Sequence, residues 1–412
     1  MPLSLRWAYE SDYDRVALTR LRCYSGAAGR TDKYQASVRN DPRQKPGDFL
    51  LAERDGEAVG TSTALSLTMN LRGARLPCQG VAYVGTIKTA RRIGSKDEPG
   101  VASQLMHATL NRARERGEVL SALMPFRASY YEHFGYGNAE HRTEWTIPIG
   151  LLPRDDFAGF RFVDPNVDLP VLLETRQREQ AQGHCDVETD LPTLKFWSTQ
   201  WPDGTTVVDQ PDRTGPARSW AFLLEHRDPP AAVLEVNDWC ADSFASFRRL
   251  LAMLGSLKDQ YSFVRITTPG DWPINRLLRE SQIPHRQVDH PVPVARPYTR
   301  MQVRILDHKR FVEAVTLPTT VQGTVTLSIK ETEGSITRLK LDLNNGRVTT
   351  CAGATDSGAI ELTDVLWSSI ATGDIRATVA HRLGLIRASD PSKLSLLDAF
   401  ADGPAPFCQE YF

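Results

Sequence analysis

The sequence predicts a chain of mixed α/β and α+β class with three domains, and three observations lead to this prediction. Hairpin strands followed by a strand–helix–strand run occupy the first part of the chain. A second strand–helix–strand run follows after residue 160, and alternating strands with helices behind them fill the last part. Because helices and sheets bury their apolar faces against each other, these patterns favour two α/β domains followed by an α+β domain.

Turn residues and apolar spacing define the elements of the first domain, residues 1–147. A helix is expected from Asp12, with Ser11 as its cap. A second helix, at 101–116, carries apolar residues at helical spacing and ends at Gly117. The remaining elements are strands at 49–53, 58–67, 81–88 and 119–124, with hairpin turns at Asp55-Gly56 and near Arg72-Gly73.

The second domain is predicted at residues 148–287, after a proline-bearing linker. A strand at 231–237, a helix from about Asp242 and a strand at 263–267 repeat the order of the first domain. Phe244 is expected on the inner face of that helix. No glycine-rich loop lies at this strand–helix junction, so the sequence gives no sign of a second phosphate site.

The third domain is predicted at residues 288–412, after a cluster of prolines. Its strands are expected at 301–305, 324–330, 335–343 and 347–351, with Asn345-Gly346 as a tight hairpin turn. Helices are expected at 362–371 and 393–400. Antiparallel strands followed by helices are typical of an α+β domain.

Composition excludes several classes of protein. The chain has 412 residues, 41% of them hydrophobic, and 49 basic against 50 acidic residues give a net charge of −1. This balance argues against a nucleic-acid-coating protein, which carries a basic excess. No stretch is apolar enough to span a membrane and no signal peptide is visible, so a cytoplasmic protein is expected. Six separated cysteines predict free thiols, and no metal-site spacing is present.

A candidate anion site lies where a strand leads into the helix at 101–116. Gly100, Val101 and Ala102 open this helix. Free backbone N–H groups and the helix dipole favour negative charge at such a position. Arg91 and Arg92 add charge-assisted donors just before it.

Two motifs resemble those of a known enzyme family. Residues 84–94 read Val-Gly-Thr-Ile-Lys-Thr-Ala-Arg-Arg-Ile-Gly, and residues 131–136 read Tyr-Glu-His-Phe-Gly-Tyr. Together they resemble the GNAT superfamily of N-acetyltransferases, and more closely its "enhanced intracellular survival" (Eis) branch. The resemblance implies two tandem GNAT-like domains followed by a domain similar to sterol carrier proteins. The resemblance in domain architecture covers the whole chain, whereas the resemblance in motifs covers only about residues 84–137.

The resemblance implies acetyl-CoA as the donor and an amine as the acceptor, with no metal. The pantetheine would pair with the backbone of strand residues 84–86, and the pyrophosphate would rest on amides after Arg91-Arg92. The candidate cofactor-binding residues are Val84, Gly85, Thr86, Arg91, Arg92, Gly94, Gly100, Val101, Ala102, Phe126 and Arg127.

The resemblance also implies two catalytic residues. Tyr131 is matched to the general acid, with Tyr130 as the alternative if the register shifts by one residue. The terminal carboxylate, here that of Phe412, is matched to the base. Its ordinary pKa is low, so burial or a relay is needed for it to act as a strong base. Glu132 and His133 are alternative bases, but both residues fit a role on the surface better than the role of base.

One segment departs from the family pattern. The usual acyl-CoA loop runs straight into the helix, whereas residues 93–99 form an insert that includes Asp97 and Glu98. The insert either bulges outward, leaving residues 100–102 to bind phosphate, or spoils the site.

Two hypotheses of function therefore stand. The first is an acetyl-CoA-dependent N-acetyltransferase that acts on an aminoglycoside-, polyamine- or lysine-like amine. The alternative is a non-catalytic lipid or small-ligand carrier built on a GNAT-like scaffold. The resemblance further implies a hexamer, and neither nucleic acid nor membrane is expected as a partner.

Overall fold

The computed structural model describes residues 3–91, 99–200, 203–227, 231–281, 292–351 and 358–412, which form two compact units. The first unit combines Met1–Ala139 with Arg300–Gly403 and Glu410–Phe412. The second combines Glu140–Thr299 with Pro404–Gln409. The division at residues 147/148 and 287/288 stays a prediction.

The elements before residue 140 alternate between strands and helices. The strands are β1 (Ser4–Ala8), β2 (Phe49–Arg54), β3 (Glu57–Leu71), β4 (Ala74–Thr86), β5 (Leu120–Leu123) and β6 (Gly137–Asn138). The helices are α1 (Tyr13–Tyr24), α2 (Thr31–Asn40), α3 (Val101–Glu115) and α4 (Ala128–Glu132).

The elements between residues 140 and 299 again alternate. The strands are β7 (Arg142–Pro148), β8 (Phe160–Phe162), β9 (Asp186–Val187), β10 (Thr205–Asp209), β11 (Ser219–His226), β12 (Val233–Ala241), β13 (Phe263–Pro269) and β14 (Val294–Tyr298). The helices are α5 (Leu169–Gln182), α6 (Leu191–Ser198) and α7 (Phe244–Gly255).

The elements after residue 300 begin with a strand and end with short helices. The strands are β15 (Gln302–Ile305), β16 (Gly323–Lys330), β17 (Ile336–Asn344), β18 (Arg347–Cys351), β19 (Ile360–Thr363) and β20 (Arg387–Ala388). The helices are α8 (His308–Ala314), α9 (Asp364–Ala371), α10 (Ala377–Arg382) and α11 (Leu394–Asp398).

The strands of each compact unit form sheets with one another. In the first unit, seven strands follow the order β1-β2-β3-β4-β5-β15-β6, and five others follow the order β18-β17-β16-β19-β20. The second unit has a seven-stranded sheet in the order β14-β7-β13-β12-β11-β10-β8, whose core includes Phe247 and Leu254 of α7. The sheets and their helices confirm the predicted mix of α/β and α+β folding.

Strand β15 lies in a different sheet from the one that the sequence suggested. The alternating pattern groups residues 301–305 with the strands that follow them, but Gln302 is paired with Leu123 of β5 on one side and with Asn138 of β6 on the other. All four residues of β15 are buried. The strand therefore completes the first sheet from a distant part of the chain.

The long hairpin of β3 and β4 also ties distant segments of the first unit together. Its turn is formed by Arg72 and Gly73, both with positive φ, as the sequence predicts. Arg72 donates hydrogen bonds to the carbonyl oxygens of Asp402 (2.6 Å) and Phe400 (2.5 Å). The tip of the hairpin is thus fixed against residues near the end of the chain.

Two local expectations are wrong. Helix α1 starts at Tyr13 rather than Asp12, and Ser11 does not cap it. The carboxylate of Asp12 binds Arg6 and accepts from the Tyr9 amide, which stabilises a 3₁₀ turn at Glu10–Asp12 instead.

The second wrong expectation concerns Phe244, which is 52% exposed rather than inward-facing. It begins α7 and packs on Trp272, with 4.4 Å between ring centroids. Among the residues that the structure describes, no helix has the length and apolar content of a membrane span.

The turn after α3 buries a carboxyl group. Gly117 takes a positive φ and ends the helix, as expected, and the amide of Glu118 donates to the Ala113 carbonyl. The Glu118 side chain is 5% exposed and accepts a hydrogen bond from Ser66 (3.2 Å). Burial raises the pKa of Glu118 to about 7.

We expect Glu118→Gln to stabilise the protein above neutral pH but not in acid. A raised pKa means that the folded state prefers the proton, so wild-type stability falls as the pH rises from about 4.5 to about 7. The glutamine side chain of the variant cannot ionise, so the variant escapes this loss of stability. The loss amounts to up to about 3 kcal/mol. Thermal unfolding at pH 5 and pH 8 measures it. A difference between variant and wild type that is the same at both pH values would contradict the assignment.

Candidate active site

The first feature of the candidate site is the point at which β4 and β5 separate. The two strands pair in parallel only from Cys78 to Gly80, opposite Leu120 to Ala122. Within the described part of the chain, the later residues of β4 are paired with β3 alone. The two strands therefore diverge after Gly80.

A β-bulge reshapes β4 just beyond that point. Ala82 is opposite Thr63 and Gly85 is opposite Thr61, so Tyr83 and Val84 share one partner position. Tyr83 has a φ of 52°, in the left-handed region. A bulge of this kind bends the strand and redirects its backbone groups, as often happens beside active sites.

The predicted pantetheine-binding residues, 84–86, lie on this bent end of β4, against α1. The hydroxyl of Tyr24 donates to the Val84 carbonyl oxygen at 2.8 Å. A Cβ atom at Gly85 would lie 2.9 Å from the Cβ of Cys23 and 3.2 Å from the Tyr24 hydroxyl. Glycine is therefore the residue that permits this packing. Thr86 is the last residue of the strand.

Helix α3 starts beside this strand. Gly100 is its N-cap, exposed and with open space around it, while Val101 is buried and Ala102 half-buried. A Cβ at Gly60 would lie 2.8 Å from Val101, so Gly60 lets the helix start approach β3. The exposed start of α3 keeps the amides and dipole that favour an anion.

The arginine segment is described only in part. Arg91 is exposed and follows a 3₁₀ turn at Lys88–Ala90. Arg92 and Gly94 lie outside the described residues, as does the insert up to residue 98. The two alternatives for the insert stay open.

Tyr131 lies in a buried aromatic cluster on α4. It is 5% exposed, and its ring packs edge-on against Tyr130 (5.0 Å between centroids) and Phe126 (5.7 Å). Val81 of β4 belongs to the same core cluster. Burial raises the pKa of Tyr131, so its hydroxyl stays protonated at neutral pH.

The other candidates on this segment are exposed. Phe126 is 75% exposed, and Arg127 is the exposed N-cap of α4. Glu132 and His133, the alternative bases, are also exposed, and the His133 ring contacts the Ser129 carbonyl of its own turn at 2.7 Å.

The group that fixes this segment is Arg304 of β15, which no sequence motif predicts. Arg304 is 2% exposed and donates to the Phe134 carbonyl oxygen at 2.7 Å. A Cβ at Gly135 would lie 2.9 Å from Nε of Arg304, which explains the glycine in the Phe-Gly-Tyr motif. Only the three-dimensional pairing of β15 reveals this role.

Carboxylates surround Arg304 on its other side. Glu331, Glu333 and Asp364 offer oxygen atoms within 4.8 Å of one another. Glu333 accepts from Arg304 at 2.6 Å, and this interaction outweighs burial and lowers the pKa of Glu333 to about 2. Glu331 contacts His308 at 2.9 Å. These carboxylates therefore bind an arginine and a histidine of the chain.

The end of the chain lies against β4, the strand that carries the predicted pantetheine-binding residues. Phe412 is 9% exposed, and a Cβ at Gly80 would lie 3.1 Å from its ring. The last residue therefore rests on β4 where the strands separate. A glycine inside a strand often marks a close approach of this kind, and that signal was available in the sequence.

Comparisons with known proteins agree with this geometry. Residues 4–139 match the model of the acetyltransferase (GNAT) domain, and residues 308–409 match that of the sterol carrier protein domain. An uncharacterized N-acetyltransferase of Streptomyces avermitilis is 25% identical over 395 residues, covering 89% of each chain.

Solved structures share the fold over the full length. A GCN5-related N-acetyltransferase from Anabaena variabilis ATCC 29413 matches with a TM-score of 0.84 at 17% identity. Eis1 from Mycobacterium abscessus matches with a TM-score of 0.81 at 18% identity, and each match covers 100% of both chains. At these identities the likeness concerns the fold.

The class of protein follows from these findings together. The chain carries a GNAT acetyltransferase domain and a C-terminal sterol-carrier-like domain, as predicted, and the fold class of tandem GNAT-like domains is confirmed. It is an acyltransferase of the N-acetyltransferase type. The enzyme hypothesis is favoured over the non-catalytic carrier.

We expect Gly85→Ala to destabilise the protein by about 1–3 kcal/mol, since the new methyl group overpacks the contact with Cys23 and Tyr24. Gly150→Ala is the matched control, because nothing lies within 4 Å of a Cβ there. Chemical denaturation measures both. Equal stability of the two variants would show that α1 and β4 are not tightly packed at Gly85.

Proposed function

We propose that this chain transfers the acetyl group of acetyl-CoA to a primary amine of aminoglycoside, polyamine or lysine type, as in the Eis branch that it resembles. Tyr131 is the general acid and the carboxylate of Phe412 is the base. One observation carries the proposal: both residues are placed near the same short stretch of β4, at residues 80–84. Phe412 lies against Gly80, and Tyr131 shares a core cluster with Val81 and Val84.

The geometry of β4 supports acetyl-CoA as the donor. The strand leaves β5 after Gly80, so its later backbone groups on that edge have no β5 partner and suit an extended ligand, apart from the Val84 carbonyl, which accepts from Tyr24. Gly85 lets α1 pack closely, and Gly60 does the same for α3, because a Cβ atom at either position would come too near the helix. The exposed start of α3 at Gly100, with Arg91 before it, suits the pyrophosphate. Phe126 packs edge-on against Tyr131, and Arg127 is the N-cap of α4. We assign contacts with the remaining part of the cofactor to these two residues.

The proposed chemistry needs one base and one acid. An ammonium ion has no lone pair, so the amine gives a proton to the Phe412 carboxylate before its nitrogen attacks the thioester carbonyl. The new C–N bond forms and the C–S bond breaks. As the amide forms, the nitrogen loses its second proton to solvent, and Tyr131 donates a hydrogen bond and then its proton to the departing sulfur. The Tyr131 phenolate then regains a proton from solvent. Burial raises the pKa of Tyr131, so its hydroxyl is protonated at neutral pH and can donate a hydrogen bond to the sulfur.

A backbone N–H is the natural donor to the oxyanion. The bulge at Tyr83 and Val84 displaces β4 from regular pairing with β3. Amides fixed by a rigid bulge stabilise developing negative charge without reorganising. We therefore include this segment in the proposed catalytic machinery.

Other expectations from the resemblance stay proposals. These are membership of the Eis branch, a hexameric assembly and a cytoplasmic location. The near-neutral charge of the chain agrees with a small-molecule or lysine acceptor rather than nucleic acid.

The test is release of free CoA thiol from acetyl-CoA in the presence of a panel of amines. We expect turnover with at least one amine, and a loss of about 10²-fold in kcat for Tyr131→Phe, because the departing sulfur loses its acid. Tyr130→Phe is the matched control: it removes the neighbouring hydroxyl from the same aromatic cluster.

Thermal unfolding of both variants shows whether the fold is kept. Unchanged turnover in Tyr131→Phe would remove Tyr131 as the general acid. A large loss confined to Tyr130→Phe would move that role by one residue. No thiol release from the wild type with any amine would contradict the acetyl-transfer proposal.

A further inference from the structure

Two arginines hold the backbone at the very end of the chain. Arg43 donates from Nη1 to the carbonyl oxygen of Tyr411 at 2.7 Å. Arg300 donates from Nη2 to the carbonyl oxygen of Glu410 at 3.1 Å. Chain ends usually fray unless they are tied down. Here the two carbonyl groups before Phe412 are both bound.

Arg43 is itself held rigidly by Asp41. Nε of Arg43 donates to one carboxylate oxygen at 3.0 Å, and Nη2 donates to the other at 2.8 Å. The two side chains are only 11% and 4% exposed. This two-pronged pairing uses two of the three guanidinium nitrogens and directs the third, Nη1, at Tyr411.

A buried network fixes Asp41 from behind. The amide of Gln44 donates to Asp41 at 2.9 Å, and Arg20 donates to the Gln44 oxygen at 2.8 Å and to Thr63 at 2.7 Å. The Arg20 guanidinium lies 3.8 Å from the centre of the Tyr83 ring. The chain of contacts therefore runs from the carboxyl terminus to the bulge of β4.

Burial makes this network rigid. Arg20 is fully buried, and desolvation lowers its pKa to about 10. Burial alone would raise the pKa of Asp41, but the hydrogen bonds and charge of Arg43 hold that pKa below its usual value. Nη2 of Arg20 makes both hydrogen bonds of that guanidinium, and its face packs on the Tyr83 and Phe49 rings, so the buried group has one arrangement in the core.

We propose that Arg43 is a positioning residue that fixes the Tyr411 carbonyl and thereby the direction of the Phe412 carboxylate. The inference rests on the proposed role of that carboxylate as the base. The Phe412 ring sets where the last residue lies on β4, at Gly80. Arg43 fixes the peptide just before it, so ring and backbone together orient the carboxylate.

The test compares Arg43→Ala, Arg43→Lys and the control Arg39→Ala. Arg39 lies on α2, pairs with Asp14 at 2.7 Å, and is 49% exposed, so its loss should leave the tail unaffected. Two readouts are needed: the kcat and KM of thiol release, and the rate at which a carboxypeptidase removes Phe412, followed by mass spectrometry.

We expect Arg43→Ala to lower kcat and to speed Phe412 removal, each by about tenfold, the effect of losing one hydrogen bond from a charged donor. The KM for acetyl-CoA should stay within about twofold. Arg43→Lys should recover part of both effects, because a lysine still offers one charged donor. It also serves as the test variant if Arg43→Ala fails to fold.

Phe412 removal needs no acetyl transfer, so it tests the contact even if the proposed function fails. Wild-type rates of both removal and turnover in Arg43→Ala would overturn the proposal. Rapid removal with unchanged kcat would also overturn it, since Arg43 would then anchor the tail without orienting a base. A rise confined to the KM for acetyl-CoA would equally contradict it.

Discussion

The separation of β4 from β5 at Gly80 is the constraint on which the candidate site depends. A continuous ladder would leave no cleft, and a side chain at Gly80 would clash with Leu67 and displace the Phe412 ring. The bulge at Tyr83 then bends the freed end of β4 toward α1. In the proposed function, the backbone groups that β5 does not pair are the edge on which acetyl-CoA binds.

The first unit is assembled from segments far apart in the chain, and this explains why the site needs more than a minimal acetyltransferase domain. Strand β15 supplies Arg304, which holds the Phe134 carbonyl and so the segment that carries Tyr131. Arg72 fixes the β3–β4 hairpin against residues near the end of the chain. The last three residues also belong to this unit, where Arg43 binds the Tyr411 carbonyl and Arg300 binds the Glu410 carbonyl.

Local sequence patterns predicted most helices and strands, but they did not predict which distant strands pair with each other. The turn at Asn345-Gly346 and the end of α3 at Gly117 follow from backbone preferences of those residues, which no other part of the chain needs to supply. The position of β15 depends on a strand about 180 residues earlier, so its own alternation suggested the wrong sheet. The candidate residues of the site came from motif resemblance, but the arginines at 43 and 304 have no local signature.

The claim that the chain's own carboxylate completes the site is tested most directly by extending the chain with one glycine after Phe412. The extension keeps the Phe412 ring and both arginine contacts but moves the carboxylate by one residue, about 3.5 Å. We predict that turnover falls by about 10²-fold or more while acetyl-CoA still raises the melting temperature as in the wild type. Wild-type turnover in the extended chain would contradict a catalytic terminal carboxylate.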